Sequence, residues 1–384
     1  MDWPSGPLEF QRRFVPRFCP WRGCPQHRLG PGVRLRYRLH GRYRGHAARP
    51  VPRYRCLACR RTFSKQSFAC SYYLKRPALL PRIAAGLSAG SAHRQLARSL
   101  ACAPSTVTRL SARLGRHALL LQAHALAHCA DLSEPAVIDH FESFEFSQDF
   151  PCGVATAVGV RSWFVYALDP APHARAGRRS ARQQARLDRR PARDHHGGYA
   201  GSFRRVLDLL HSLAPADQPI RITTDGHEAY RRELLRHPGR VEHCAVPNPK
   251  RGPQGAPRSS QARFRDAAMF PNDMLHLLLR HSLAHHRRET IAFARRINAL
   301  MERLFLATVW RNFVKLASER KPLPITPAMR LKLADRPWSW SRVLARRLFH
   351  DRERLPAVWA QLYRREWLTP VLPANSRHDL ARAF

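Results

Sequence analysis

The feature that most limits how this 384-residue sequence can fold is a long stretch without acidic side chains. Asp and Glu are absent from residue 10 to residue 130, and the same stretch contains 24 Arg and Lys. The whole chain has 67 Lys plus Arg against 27 Asp plus Glu, a formal net charge of +40. Biased genomic composition can enrich Arg, but by itself it does not remove acids. The charge therefore predicts an external anionic partner, and nucleic acid is the leading candidate.

An anionic membrane surface would also attract this charge. However, no stretch approaches the roughly 18 uninterrupted apolar residues of a membrane-spanning helix. The segment Met1–Pro4 also lacks a basic-then-apolar leader. We therefore expect a cytoplasmic protein with no membrane partner.

Four of the nine cysteines form two close pairs: Cys19, Cys24, Cys56 and Cys59. Two such knuckles can supply the four thiolates of a closed, tetrahedral zinc site. The zinc would be structural, because a small arginine-rich module has little apolar surface and metal binding can replace a core. The alternative is four unlinked reduced thiols, with His27 or His40 as substitute ligands.

The first two parts of the chain differ in their patterning. Residues 1–76 contain a short alternating run, Val33–Leu39, that predicts a strand within a small β module of the zinc-ribbon type. Residues 77–130 have Ala, Leu and Arg at three- and four-residue intervals, which is typical of helices. We expect a basic β module followed by a helical segment.

The remaining residues predict a mixed α/β domain and a tail. In residues 131–320, three apolar runs are followed by alternating helix and strand patterns, and Met274–Val314 is strongly helical. A basic insertion at 170–198 is expected to be a surface loop or a poorly ordered arm. Residues 321–384 form a basic helical tail. The expected fold class is therefore multidomain α/β.

A helix-turn-helix is predicted in Ser91–Leu114, where two short amphipathic helices flank Pro104. The second helix would turn five polar or basic side chains towards phosphates and base edges: Ser105, Thr106, Thr108, Arg109 and Arg113. An ordinary pair of helices in a bundle is the alternative. The acid-free surroundings favour DNA binding.

Two acids follow apolar, strand-like runs. Asp139 comes after Ala136–Ile138, and Asp225 comes after Ile220–Thr224. A carboxylate at the end of a buried strand is costly alone but useful beside a divalent ion. Two such acids and a helical one could hold two Mg²⁺ ions about 3.5 to 4 Å apart for phosphodiester chemistry. For either residue in isolation, an Asp capping a turn would be the simpler interpretation.

The order of these parts resembles the DDE transposases of the insertion-sequence-one type, with zinc ribbon, helix-turn-helix and catalytic domain in one chain. The resembling segments are YRCLACRRTFS (54–64), DHFESF (139–144), TDGHEAY (224–230), and LR (279–280) followed by RRETIAFARR (287–296). The resemblance covers about residues 15–315. It implies an RNase H-like catalytic domain that depends on Mg²⁺ or Mn²⁺ and cleaves and transfers DNA strands. It also implies a bacterial, nucleoid-associated protein that binds element ends and target DNA as a homo-oligomer.

The third acid departs from that family. The family places a Glu at the start of its final basic helix, seven residues before an Arg that Arg280 matches, and this position is Asp273 here. Asp can ligate Mg²⁺, but its shorter side chain needs a closer backbone. Glu302 is the rival, because a helix with Asn and then Glu ends the catalytic domain of other DDE families.

Two other functions stay open at this point. One is a catalytically inert zinc-ribbon, helix-turn-helix DNA-binding protein derived from a transposase, which the Asp in the third position favours. The other is an RNA-binding or RNA-processing protein, which the charge alone supports. Metal-dependent nicking of supercoiled DNA separates the transposase from both, and competition between duplex DNA and RNA separates the other two.

Overall fold

The computed structural model describes residues 14–44, 50–129, 132–250, 252–253, 255–320 and 324–372. Over these residues the protein is mixed α/β, with two sheets and eleven α-helices. The predicted boundaries after residues 130 and 320 adjoin residues outside this description, as does the tail beyond residue 372. None of the described helices is both long and apolar enough to cross a bilayer.

The N-terminal module is a three-stranded antiparallel sheet. Its strands are β1 (Tyr37–Arg44), β2 (Pro50–Cys56) and β3 (Thr62–Phe63). The strand expected from Val33 therefore begins only at Tyr37. The side chain of Gln26 engages the preceding backbone: the Arg36 N–H donates to Gln26 Oε1 at 2.6 Å, and Gln26 Nε2 donates to the Arg36 carbonyl at 3.3 Å.

Three helices follow: α1 (Leu79–Ser88), α2 (His93–Ser99) and α3 (Pro104–Ala127). The two predicted short helices are α2 and the first turns of α3, which continues well beyond Leu114. Pro104 opens α3, a position where the missing N–H of proline leaves no helical hydrogen bond unmade. Every residue of α3 from Arg113 to Ala123 is buried, so the helix that begins in the predicted helix-turn-helix continues into the core.

A five-stranded sheet forms the centre of the molecule. Its strands are β4 (Ala136–Phe144), β5 (Pro151–Gly159), β6 (Val165–Pro172), β7 (Ile220–Thr224) and β8 (Val241–Ala245). They lie in the order β6-β5-β4-β7-β8, with β4, β5 and β6 antiparallel and β7 and β8 parallel to β4. The predicted run of three strands and the later strand at Ile220 are present. Sequence analysis missed β8, an exposed edge strand with little apolar pattern.

The basic insertion contains a helix rather than only a loop. It begins with the end of β6, forms α4 (Ala181–Asp188) and ends where α5 (Gly198–Leu213) starts. No residue of α4 is buried, as expected for a surface arm. Ion pairs with Asp149 hold the arm against the rest of the protein. The side chain of Asp149 is only 1% exposed and pairs with three arginines of the arm: Arg175, Arg186 and Arg190.

Helices cover both faces of the five-stranded sheet. Successive residues of a strand point to opposite faces. On β4, His140 contacts α5 and α6 (Glu228–Leu234), whereas Phe141 contacts α7 (Ser260–Ser282). The helix expected over Met274–Val314 is interrupted between α7 and α8 (Ile297–Val309), because Leu283 adopts an extended backbone and the next residues are buried outside any helix.

The C-terminal tail ties the two parts of the molecule together. It contains α9 (Pro327–Arg330), α10 (Trp340–Val343) and α11 (Ala357–Arg364). Three of its tryptophans are buried in the large core: Trp338, Trp359 and Trp367. Asp351 of the tail lies 3.2 Å from Nε2 of His27 in the N-terminal module, and the Arg352 guanidinium stacks 3.8 Å from the Phe18 ring.

The described residues share one large hydrophobic core. It joins α1, α2 and α3 to the five-stranded sheet, to α5, α7 and α8, and to the tail. A separate small cluster lies in the N-terminal module. Helices α1, α2 and α3 are therefore packed on the same core as the sheet that carries the candidate acids.

Candidate active site and metal centre

The four paired cysteines come together in the N-terminal module. All four sulfur atoms lie within 4.8 Å of one another. The Sγ atoms of Cys19 and Cys59 are 3.7 Å apart, and so are those of Cys24 and Cys56. Four sulfurs at about 2.3 Å from a central zinc ion are separated by about 3.8 Å in a tetrahedron. The cluster could therefore hold a metal ion and has the geometry and chemistry of a structural zinc site.

The surroundings of this cluster favour metal binding. Cys19 and Cys56 are completely buried, and the cluster's only buried neighbours in the described part of the small core are Leu35 and Phe63. Burial raises the pKa of the Cys19 thiol, and the neighbouring thiols add to this increase. Gln26 Nε2 donates to Cys56 Sγ at 3.3 Å. A divalent cation would stabilise the thiolates and supplement this small apolar core.

The first turns of α3 present part of the predicted DNA-contact set. Ser105, Thr108 and Arg109 are exposed, and Thr106 is half-buried. The turn before α3 places Ala101 at a φ of 45°, in the left-handed region that usually takes glycine. Arg76 stabilises this turn by donating to the carbonyls of Leu100 and Ala101 at 3.4 and 3.1 Å.

The expectation for Arg113 is wrong, because its side chain does not face outward. It is buried, and its Nη1 donates to the backbone carbonyls of Cys70 and Tyr72 at 3.1 and 2.8 Å. Position 113 is already in the part of α3 that belongs to the core. On α2, Arg94 and Arg98 are exposed instead, and sequence analysis did not single them out.

The two strand acids are aligned by the pairing of β4 with β7. Ala136 pairs with Ile222 and Val137 with Thr223, so the same register places Asp139 beside Asp225. Adjacent strands are about 4.8 Å apart. Asp139 lies in the middle of β4 rather than at its end, because β5 continues to pair with β4 as far as Phe144. Asp225 does follow the last residue of its strand.

Helix α7 brings the third acid and a histidine to the same place. The Asp273 side chain is 39% exposed and forms an ion pair with Arg265. One turn later, His276 Nδ1 lies 3.8 Å from Asp139 Oδ2, and its Nε2 lies 2.9 Å from the Thr156 hydroxyl. That hydroxyl donates to Asn272 Oδ1 at 2.8 Å, which fixes α7 over β5.

The charges of the three acids act on one another. The pKa of Asp139 is raised to about 7, first because its carboxyl is largely buried and then because Asp225 and Asp273 repel its charge. The His140 N–H, which donates to Asp139 Oδ1 at 2.7 Å, and Arg265 act in the opposite direction. Burial and nearby arginines lower the pKa of His276 to about 3, so its imidazole is neutral. A bound cation would therefore stabilise the ionised forms of these acids.

The acids are more widely spaced than the thiols. Among the described residues, only the cysteine group brings three or more ligand atoms within 4.8 Å of one another. Carboxylate oxygens are ligands for hard cations such as Mg²⁺ and Mn²⁺. The three acids therefore do not form a single tight cation cage among the described residues.

Glu302, the rival third acid, is engaged elsewhere. It is buried on α8 and accepts hydrogen bonds from Arg116 of α3 at 3.0 Å and from Arg365 of the tail at 2.9 Å. Gly115 allows this close packing, because a Cβ atom there would come within 2.3 Å of the Glu302 backbone oxygen. Both carboxylate oxygens of Glu302 accept hydrogen bonds from arginines. These bonds connect α8 to α3 and to the tail.

Sequence analysis missed two side chains at this site, His276 and Arg265. A sequence signal existed for His276, which stands three residues after Asp273 and seven residues after Met269 on the same face of a helix. Arg280 continues that face and donates to the Glu142 carbonyl at 2.6 Å, anchoring α7 to β4. Nothing in the sequence distinguishes Arg265 from its many neighbouring arginines.

We expect about one equivalent of zinc in the purified chain and its loss when Cys56 and Cys59 are both changed to Ser. Two thiolates cannot close the site, so the N-terminal module should lose its fold as well as its metal. Elemental analysis and thermal unfolding measure both effects. The exposed Cys244→Ser is the matched control and should keep the zinc. Stoichiometric zinc in the double variant would contradict the assignment.

We expect Asp139→Asn to stabilise the folded protein above neutral pH. The Asp139 pKa is about 7 in the fold, against an ordinary value of 3.8 for an aspartate. Its charge therefore destabilises the fold increasingly from pH 4 to 7 and at full strength above 7. The variant should gain up to about 4 kcal/mol of unfolding free energy at pH 8. Denaturant unfolding without added divalent metal measures this gain.

The control for this measurement is Asp217→Asn, which neutralises an exposed acid outside the cluster. It should change the unfolding free energy by less than about 0.5 kcal/mol at any pH. An Asp139→Asn variant that is less stable than the unmodified protein at pH 8 would show that the carboxylate is not repelled in the fold.

Comparison with known proteins gives no relative from which the chemistry could be transferred. A scan against models of protein families and a search of curated protein sequences both find no match. The function of the two centres therefore has to be inferred from their geometry and charge.

Proposed function

We propose that this chain is a DNA transposase of the DDE type, which binds the ends of a mobile element and cuts and joins DNA strands. The observation that carries the proposal is the convergence of Asp139 and Asp225, on adjacent parallel strands, with Asp273 on the covering helix. The raised pKa of Asp139 supports it, because burial and then repulsion by the neighbouring acids oppose its charge, and a bound cation would offset both effects.

The topology of the large sheet supports the RNase H-like assignment. The strand order β6-β5-β4-β7-β8, with β5 antiparallel to its neighbours, is the order of that fold. In it, the first strand of the sheet and the fourth lie side by side; here Asp139 lies on the first, and Asp225 directly follows the fourth.

The donor set of the acid cluster fits divalent metal ions. Asp139, Asp225 and Asp273 supply oxygen ligands that are all partly accessible to solvent. Bound Mg²⁺ or Mn²⁺ would activate a water molecule or a 3′ hydroxyl and stabilise the leaving oxygen of a phosphodiester. Asp139 would hold its carboxylate in place through the His140 N–H, and neutral His276 would pack beside it without adding positive charge.

DNA binding is assigned to the acid-free N-terminal parts. The zinc module and the first turns of α3 carry the basic charge without acids to oppose it. The exposed Ser105, Thr108 and Arg109 form the candidate reading surface, with Arg94 and Arg98 of α2 beside it. Since α3 runs from this surface into the core under the sheet, DNA bound there would be held in a fixed relation to the acids.

The inert DNA-binding protein is the second candidate, and one observation favours it. Asp273, the shorter third acid, is occupied by Arg265 through Nη1 and Nη2 of the guanidinium. An acid that remained paired in this way would not bind metal. RNA binding has no support beyond the charge.

We expect Asp139→Asn and Asp225→Asn to abolish Mg²⁺- or Mn²⁺-dependent nicking of supercoiled DNA, with losses of about 10³-fold or more. Each change removes a ligand and a neutralising charge from the proposed metal site. Asp273→Glu should retain or raise the activity, and Asp217→Asn should leave it unchanged. Gel analysis of plasmid topoisomers measures the reaction.

Binding assays on the same proteins separate the three functions. All of these variants should bind duplex DNA like the unmodified chain, with a steep dependence on salt, and Arg109→Ala should lower sequence preference more than bulk affinity. A protein that binds duplex DNA but never cleaves it with either metal would be the inert protein. Preference for RNA over duplex DNA would overturn both DNA functions.

A further inference from the structure

The Arg265 side chain lies along α7 and ends in the acid cluster. Its Nη1 donates to Asp273 Oδ2, and its Nη2 lies 3.4 Å from Asp273 Oδ1. The side chain is only 14% exposed although it carries a full charge. Its Nε atom is buried without a hydrogen-bond partner among the described residues. The hydrogen bonds of the guanidinium therefore go to one carboxylate, and its Nε–H is left without a partner in the described part of the chain.

The helix geometry makes this contact a specific one. Arg265 stands eight residues before Asp273, about 12 Å along a helix axis, so its side chain has to extend along the helix to reach the acid. The closer acid Asp266 lies on the same helix, yet its nearest distance to Arg265 is 3.9 Å. Among the groups that shift the pKa of Asp139 most strongly, Arg265 is the cation.

A guanidinium and a divalent ion cannot use the same carboxylate freely. A bidentate arginine occupies the oxygen lone pairs that a metal would need, and two cations a few ångströms apart repel each other strongly in a partly buried site. We infer that Arg265 is an internal counter-cation that competes with a divalent metal ion for Asp273, so that metal binding requires Arg265 to leave this carboxylate.

This inference rests on the proposed function, since it assumes that the acids bind metal. It goes beyond that function because it gives the Arg265 guanidinium a second position, away from Asp273. A guanidinium released from Asp273 would still lie beside the site with its forked donors free, and the anion in such a cleft that it fits best is a phosphate of the bound DNA. The ion pair would then neutralise Asp273, one of the three acids, until metal and DNA arrive.

The test is a titration of the full-length protein with MnCl₂ at pH 8, without DNA, followed by electron paramagnetic resonance and calorimetry. Arg265→Gln should bind Mn²⁺ about tenfold more tightly than the unmodified protein, equivalent to about 1.4 kcal/mol. Arg265→Lys, which keeps the charge but not the fork, should lie between the two. Arg263→Gln removes the same charge from an exposed position of α7 and should bind within about twofold of the unmodified protein.

The possible outcomes separate this inference from the proposed function. Asp225→Asn serves as the baseline, because it should lose the Mn²⁺ bound by the acids. Suppose that the unmodified protein binds Mn²⁺ and that neither Arg265→Gln nor Arg265→Lys binds it more tightly. This result would overturn the competition between Arg265 and the metal, but it would leave the proposed function standing. Absence of binding sensitive to Asp225→Asn in all variants would overturn both. Arg265→Lys keeps the test decisive if Arg265→Gln fails to fold.

Discussion

The register between β4 and β7 is the constraint on which the candidate active site depends. Two residue pairs, Ala136 with Ile222 and Val137 with Thr223, fix it. Side chains alternate between the faces of a sheet, so a slip by one residue would turn one carboxylate to the opposite face. With this register, Asp139 and Asp225 lie next to each other on the face that α7 covers. The buried residues of β4 around Asp139, Ile138 and Phe141 among them, hold the register against the repulsion of the acids.

The interactions among the charges of the candidate site are unfavourable for the folded protein. Burial and the neighbouring acids raise the pKa of Asp139 to about 7, and the surrounding packing has to compensate for the cost. Helix α7 does much of this, because it fixes itself to β5 through Asn272 and to β4 through Arg280. The same helix supplies Arg265, the cation that neutralises Asp273. Positive charge at this site thus comes from inside the chain as well as from any bound metal.

Much of this arrangement could be predicted from the sequence, and the reasons differ from residue to residue. The cysteine pairs and the two strand acids can be predicted because each has a recognisable local pattern. The cysteines have the close spacing of a knuckle, and each acid follows an apolar run. The chemistry of the site itself requires these patterns. Arg113 was placed wrongly, because an amphipathic pattern does not reveal where a helix leaves the surface and enters the core. Arg265 was missed for a related reason: only the packing of α7 on the sheet selects it from many arginines. The break after Ser282 also depends on tertiary burial, of Leu283 and His286, rather than on local propensity.

The most direct test of the central claim is to locate bound metal in the protein by anomalous diffraction from crystals soaked in MnCl₂. We expect two manganese peaks about 3.5 to 4 Å apart between Asp139, Asp225 and Asp273. Zinc at the four cysteines would give a separate peak that serves as an internal control. A zinc peak without manganese at the three carboxylates would contradict the claim that these acids form a metal-dependent active site.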